Sequence, residues 1–341
     1  MTANIAIVGA TGAVGRTMLQ ILGERDFPVD ELRLMASARS AGTKVETPWG
    51  EIEIEDLDVA DPTGIDIALF SAGGDRSRQH APRFAEAGVV VVDNSSAFRM
   101  ESDVPLVVAN VNDGALTDRP RGIIANPNCT TMALMMAIGP LHREAGLTSM
   151  VATSYQSVSG SGKQGMDELL RQTRQLIESP ESLQYGGWED PGGSLYQRPI
   201  GFNVLPYAGT EKEQGYTDEE WKLVNETRKI LGAPEVAVEP TCVRVPVMVG
   251  HGIAATARFD RPLDRIEAVE ILSRAPGVQV WQDTTPTPLD SAGIDDVLVG
   301  RVRDTVGESG GINLWVVGDN LRKGAALNTI EIAELVVASL R

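Results

Sequence analysis

Cys129 is the side chain in this sequence best placed to act as a nucleophile. It stands in Asn126-Pro127-Asn128-Cys129-Thr130-Thr131, between an apolar run over 122–125 and a helical pattern carrying Leu134, Met135 and Ile138. The positive end of a helix lowers a thiol pKa and stabilises the thiolate. A free cysteine is also a common small buried apolar residue, and that reading suits Cys242, on an apolar strand, better than Cys129 in its polar setting. A base for such a thiol has three candidates, His80, His142 and His251. The first two lie on helical patterns among charged neighbours and read as surface residues. His251 follows a strand and is flanked by Gly250 and Gly252, which leave room for a ligand. On that preceding strand, expected over 241–249, Cys242, Arg244 and Pro246 share one face and Val243, Val245 and Val247 the other. Arg244 is therefore expected on the same ribbon as His251. It reads either as an edge-strand charge or as a fixed guanidinium for a substrate carboxylate. Thr217-Asp218-Glu219-Glu220 has the form of a capping box, and Glu219 and Lys222, three residues apart, share a face of the helix it starts. On spacing alone they are an ordinary surface ion pair.

A second set of residues suits a dinucleotide. Asn4 to Val8 is a short apolar run, followed by Gly9-Ala10-Thr11-Gly12-Ala13-Val14-Gly15 and a helical pattern through Met18, Leu19 and Leu22. Glycines at a strand-to-helix turn let the backbone approach a pyrophosphate, and the helix N-terminus favours its charge. The spacing is G-x-x-G-x-x-G rather than G-x-G-x-x-G, so a plain tight turn is the competing reading. After the second strand, where an acidic residue would bind the ribose hydroxyls of NAD, stand Ser37-Ala38-Arg39-Ser40. Arg39 reads as a solvated loop charge or, with Ser40, as a site for a 2′-phosphate, and the missing carboxylate favours NADP.

These residues need rigid elements to hold them. Strands expected over 4–8, 31–36, 65–70, 89–92 and 122–125, with helices between, imply a parallel sheet covered by helices. Open sheets of that kind bind ligands beyond the carboxyl ends of their strands, where Cys129 and the glycine turn both fall. From Ser149 the pattern changes. Strands expected over 151–157, 241–249, 252–259, 278–281 and 312–317 have fewer intervening helices and suggest an antiparallel or mixed sheet. A helix is expected over 165–178, a Gly- and Pro-rich surface excursion over 179–215, and a closing helix over 324–340 that returns to the first domain.

Composition bounds the function. The 341 residues suggest two domains. Thirty basic against 47 acidic residues give a net charge of −17, which disfavours nucleic acid and anionic membrane as partners, so an anionic substrate needs individually placed cations. Two cysteines provide no disulfide framework and no metal-ligand spacing. No basic n-region follows Met1 and no run is long enough to span a membrane, so a reducing, cytoplasmic setting is expected.

Taken in order, the glycine turn, Asp93-Asn94-Ser95-Ser96-Ala97-Phe98-Arg99, Asn126-Pro127-Asn128-Cys129-Thr130-Thr131, Gln156-Ser157-Val158-Ser159-Gly160, Arg244-Val245-Pro246-Val247 with Gly250-His251, and Asp319-Asn320-Leu321-Arg322-Lys323-Gly324-Ala325-Ala326 resemble the aspartate-semialdehyde dehydrogenases. The resemblance covers nearly the whole chain and implies the shorter, bacterial form of the family. It implies an α/β fold, with a Rossmann-like dinucleotide-binding domain (1–128 plus 322–341) and an α+β catalytic and dimerisation domain with a mixed sheet (129–321). It implies Cys129 as nucleophile, Gln156 orienting the intermediate and His251 as acid/base. Arg244 with Glu219 would hold the amino-acid end of the substrate, and Arg99, Asn128 and Lys222 its phosphate. Gly9, Thr11, Gly12, Ala13, Val14, Arg39, Ser40, Ser159, Gly160 and Asn320 would hold NADP. The implied reaction reduces aspartyl phosphate to aspartate semialdehyde and phosphate through a cysteine thioester, in the route to lysine, threonine and methionine. Backbone N–H groups at the start of the Cys129 helix are the expected oxyanion donors. No metal is implied, and the assembly would be a homodimer or homotetramer. The related N-acetyl-glutamyl-phosphate reductases normally carry Gly where Asn128 stands. A non-enzymatic dinucleotide-binding sensor would need none of Cys129, Gln156, Arg244 and His251.

Overall fold

The computed structural model describes residues 2–307 and 309–339; Met1, Glu308 and the end of the expected closing helix, Leu340 and Arg341, lie outside the described residues. The chain divides into two compact units. One comprises the residues up to Gly139, Asn225–Pro234 and those from Leu321 onward; the other comprises Pro140–Val224 and Glu235–Asn320.

The first unit is built on strands β1 (Ala3–Val8), β2 (Val29–Ala36), β3 (Lys44–Thr47), β4 (Gly50–Asp56), β5 (Ile67–Phe70), β6 (Val90–Asp93) and β7 (Ile123–Ala125), in the order β3-β4-β2-β1-β5-β6-β7. All neighbours run parallel except the β3–β4 hairpin, which the sequence reading did not foresee. The inner strands are covered on both faces, so they are short apolar runs such as the wholly buried Ile67–Phe70. Helix α1 (Ala13–Glu24) buries Met18, Leu19, Ile21 and Leu22, and α2 (Gly74–Glu86) buries Ala81 and Phe84. Helix α3 (Cys129–Ala145) begins directly beyond β7. The expected closing helix is two pieces, a π-helical turn at Arg322–Leu327 and then α9 (Asn328–Ser339), whose Ile330, Ala333, Val336 and Val337 join the core of this unit. Strand order reverses at β1, which lies between β2 and β5, so the carboxyl ends of these strands form a ligand-binding switch point.

The second unit holds a mixed sheet of β8 (Leu147–Gln156), β9 (Ala237–Arg244), β10 (His251–Phe259), β11 (Val278–Trp281), β12 (Val297–Asp304) and β13 (Gly311–Gly318), ordered β11-β12-β13-β10-β8-β9. The pairs β8–β9 and β11–β12 are parallel, the others antiparallel. Its helices are α4 (Gly162–Leu176), α5 (Pro180–Tyr185), α6 (Asp218–Leu231, whose residues from Asn225 belong to the first unit), α7 (Arg265–Ser273) and α8 (Pro288–Ser291). The 179–215 excursion has only α5 and a short turn at Glu213–Gly215. One expectation fails here: β9 ends at Arg244, and β8 lies between β9 and β10, so Arg244 and His251 do not share a ribbon. Strand β8 alternates strictly, with Met150, Ala152, Ser154 and Gln156 buried and Val151 and Tyr155 exposed on the other face. Among the described residues no helix is long and apolar enough to cross a membrane.

Candidate active site

In the first unit the glycine turn is shaped by close approach. Gly9 has φ of 94°, and a side chain there would run into the Ser71 carbonyl; one at Gly15 would overlap the Gly9 carbonyl and the Ala10 backbone. The Gly12 N–H donates to the Gly9 carbonyl at 3.0 Å, and Gly12, as the residue before α1, supplies no side-chain cap. No side chain therefore competes with an anion for the positive end of α1. Beyond β2 the chain turns through Ser40, whose carbonyl accepts from the Thr43 hydroxyl at 2.6 Å, and Arg39 is exposed on this turn.

The turn before Cys129 is held from several sides. The Asn126 amide donates to Asn94 Oδ1 at 2.7 Å, and the buried Asn328 donates to Asn126 Oδ1 at 2.6 Å. Asn128 caps α3: its Oδ1 accepts the Thr130 N–H at 2.9 Å and the Thr131 N–H at 3.4 Å. These two N–H groups are thus engaged by the Asn128 side chain. The Asn128 N–H itself donates to Glu226 Oε2 at 2.6 Å. The other oxygen of Glu226 accepts from Arg99 Nη1 at 3.0 Å, and Arg99 Nη2 donates to the Asn94 carbonyl at 3.0 Å. Arg99 is buried, and its Nε has no hydrogen-bond partner among the described residues. Lys229, one turn beyond Glu226, donates to the carbonyls of Arg99, Glu101 and Val104. The sequence reading missed both residues. Their signal was spacing, since Glu226 and Lys229 continue the run of threes and fours begun by Glu219 and Lys222. The half-buried Cys129 thiol stands at the start of this helix, as its sequence context implied.

The second unit assembles the other candidates around Gly160. A Cβ built there would lie 3.2 Å from Arg244 Nη1 and 3.7 Å from His251 Nε2, so both side chains face the same glycine although their strands are not neighbours. Arg244 Nη1 donates to the Ser157 carbonyl at 2.8 Å, its guanidinium lies 5.9 Å from the Tyr196 ring centroid, and its buried Nε has no partner among the described residues. His251 is 1% exposed, and its Nδ1 accepts the Ser157 N–H at 3.1 Å. Burial, reinforced by the Arg244 cation, pushes the imidazole down to about 3, so it is neutral as folded. Gln156 Nε2 donates to Glu219 Oε2 at 3.1 Å, and Lys222 reaches Glu219 at 2.7 Å and Asp218 at 2.6 Å. Burial alone would lower the Lys222 ammonium, but the Glu219 and Asp218 carboxylates overcome it and hold it above its usual value. Asn320 Oδ1 accepts from Ser159, Ser157 and the Gly250 N–H, tying the 157–160 turn to the start of β10. A cavity of about 330 Å³ opens beside Arg244, lined also by Tyr196, Tyr207, Gly209 and Thr210 from or next to the surface excursion, where the sequence offered no site.

Two further expectations meet the structure. Cys242 is wholly buried, and burial pushes its thiol up to about 12, as its apolar strand implied. His80 is not a surface residue: it lies on the inner face of α2, with Nε2 3.1 Å from Asp58 and Nδ1 accepting from Arg83. Asp58 reaches it from the loop after β4, and Arg83 from the next turn of the same helix. His142 is partly buried, and its Nδ1 accepts the Leu147 N–H at 3.0 Å.

Comparison with known proteins finds two family models. "Semialdehyde dehydrogenase, NAD binding domain" matches residues 4–119, and "Semialdehyde dehydrogenase, dimerisation domain" matches residues 138–323. The aspartate-semialdehyde dehydrogenase of Mycolicibacterium smegmatis is 52% identical over 99% of both chains. A crystal structure of aspartate semialdehyde dehydrogenase II from Vibrio cholerae superposes with a TM-score of 0.95 at 45% identity, covering 100% of each chain. A second structure of that enzyme, complexed with ASA, superposes at 0.94 with 44% identity and the same coverage.

Proposed function

The chain belongs to the aspartate-semialdehyde dehydrogenase family, and from that premise we propose that it reduces L-4-aspartyl phosphate to L-aspartate 4-semialdehyde and phosphate through a thioester on Cys129. The observation that carries this reading is the turn ahead of α3. There a half-buried thiol at a helix N-terminus follows Asn128, and Glu226 links the Asn128 backbone to a buried arginine whose Nε has no partner among the described residues.

The Cys129 thiolate attacks the acyl carbon, the bond from that carbon to the phosphate oxygen breaks, and phosphate leaves. Arg99, Asn128 and Lys222 would hold that phosphate. Arg244 and Glu219 would hold the carboxylate and ammonium of the substrate, with the cavity beside Arg244 receiving this end. NADPH, when bound, supplies the hydride that reduces the thioester. The tetrahedral oxyanion left on Cys129 collapses to the aldehyde as the carbon–sulfur bond breaks and the thiolate is regenerated, with His251 the acid/base that would handle a proton on that oxygen. Gln156, anchored to Glu219, orients the intermediate. The residues present fit the cofactor. The close-packed glycine turn with its uncapped helix suits a pyrophosphate, and the exposed Arg39 with Ser40 suits a 2′-phosphate. Gly9, Thr11, Gly12, Ala13, Val14, Ser159, Gly160 and Asn320 would hold it. The chemistry needs a reduced thiol, which fits the cytoplasm.

A homodimer is part of the same reading. It is supported by the matching dimerisation-domain model and by Val151 and Tyr155, 49% and 36% exposed on one face of the second unit's sheet.

The test follows NADP reduction with aspartate semialdehyde, with and without inorganic phosphate, beside N-acetyl-glutamate semialdehyde. Phosphate-dependent NADPH formation with the first aldehyde alone is expected. Turnover with only the acetylated aldehyde would reassign the substrate, and tight NADP binding without turnover would leave a sensor.

A further inference from the structure

We propose that Glu226 is a positioning residue that sets the phosphate-binding arginine and the nucleophile turn in register with one another, a role that rests on the reading of Cys129 and Arg99 given above. Glu226 is 1% exposed, and burying a carboxylate is costly unless it is paired and hydrogen-bonded. Its two oxygens divide the task. Oε1 accepts from Arg99 Nη1 at 3.0 Å, and Oε2 accepts from the Asn128 N–H, next to Cys129, at 2.6 Å. A single planar group of fixed width thus spans the guanidinium that would meet the phosphate and the backbone that carries the thiol. Arg99 is gripped at its Nη atoms by Glu226 and the Asn94 carbonyl, while the buried Nε has no hydrogen-bond partner among the described residues and so keeps a donor for an anionic oxygen. Lys229, on the next turn of α6, fixes the loop behind Arg99 through three carbonyls, so the helix segment from Asn225 carries the whole support.

Only a carboxylate accepts from both sides. Glu226→Gln replaces one acceptor by an amide donor, which faces either the Asn128 N–H or Arg99, and one of the two bonds is lost whichever way the amide turns. Losing a hydrogen bond to a charged group corresponds to about a 10- to 100-fold loss, and a small misplacement at the reacting atoms to about 100-fold in rate. The experiment measures phosphate-dependent oxidation of aspartate semialdehyde by Glu226→Gln, normalised to the thiol titratable in the folded protein. The expected result is a phosphate KM raised about 10-fold or more and a kcat lowered about 100-fold, with the aldehyde KM and NADP affinity within about twofold. In an Arg99→Gln background the same substitution should leave the phosphate KM where Arg99→Gln alone puts it, because Glu226 acts on phosphate through Arg99.

An unchanged phosphate KM, or a loss confined to the titratable fraction and the melting temperature, would reduce Glu226 to a structural ion pair and overturn the proposal. A full additional rise in the double variant would overturn it as well. Should Glu226→Gln not fold, Glu226→Asp keeps the charge, is too short to reach both partners, and is read by the same constants. Failure of the underlying reading shows separately, as activity retained by Cys129→Ser.

Discussion

Arg244→Lys is expected to raise the KM for aspartate semialdehyde about 10- to 100-fold while NADP affinity stays unchanged, as steady-state kinetics would show. A lysine keeps the charge but not the fork that bonds the Ser157 carbonyl and lies over Tyr196. His251 makes a prediction about acid. Its imidazole is held neutral in the fold, with its value pushed down to about 3, whereas in the unfolded chain it takes up a proton near its ordinary value of about 6.5. Below about pH 6.5 the unfolded state therefore binds the extra proton. The stability tied to neutral His251 is full above that pH and is lost progressively as pH falls toward about 3. His251→Gln should flatten this limb in denaturant titrations between roughly pH 4 and 7; an unaltered limb would mean the histidine is charged as folded. At this scale the sequence was most legible where one residue's local context decides its placement. Cys129 at a helix start, Cys242 on an apolar strand and His251 between glycines could all be read from their neighbours. Glu226 and Lys229 carried only a helical spacing continued from Glu219 and Lys222, and what singles them out is the partner each finds far along the chain.

The capping box at Thr217 and Glu220 starts α6 as its sequence pattern indicated, with Glu220 Oε2 accepting the Thr217 N–H at 2.7 Å and Oε1 accepting the Cys242 N–H at 3.0 Å. Thr217→Ala is expected to destabilise the protein by about 1 kcal/mol, seen as a lower urea midpoint. No change would show that the Glu220 bonds alone hold the helix start. The parallel strands were readable as apolar runs beside helical patterns. The β3–β4 hairpin was not, because Lys44–Thr47 and Gly50–Asp56 alternate charged with apolar residues and their turn carries Pro48 and Trp49. Strand β12 was hidden by its irregular middle, where the register shifts between Gly300 and Arg303 and Arg301 adopts φ of 53°. The misplaced ribbon has a topological cause. Strands β9 and β10 are close in sequence and suggested one ribbon, but β8 inserts between them, and no local pattern encodes that pairing.

Taken whole, the molecule distributes its candidate groups over two units: a glycine turn and a thiol in one, a neutral histidine and an arginine around Gly160 in the other. Association between copies is the next level. Replacing Val151 and Tyr155 together by Asp is expected to yield monomer in sedimentation velocity if the exposed face of β8 forms the dimer; an unchanged sedimentation coefficient would place the contact elsewhere. Composition and motif order made the two-unit plan legible. The assignment of Asn225–Pro234 to the first unit was not legible, since it falls in the middle of one continuous helix. The central claim, covalent catalysis by Cys129, is tested most directly by mass spectrometry of the protein mixed with aspartate semialdehyde and NADP in the absence of phosphate. One aspartyl group should appear on the peptide containing Cys129, disappear on addition of phosphate, and be absent from Cys129→Ser together with turnover. Phosphate-dependent turnover in Cys129→Ser, or an acyl group carried by any other residue, would contradict the account.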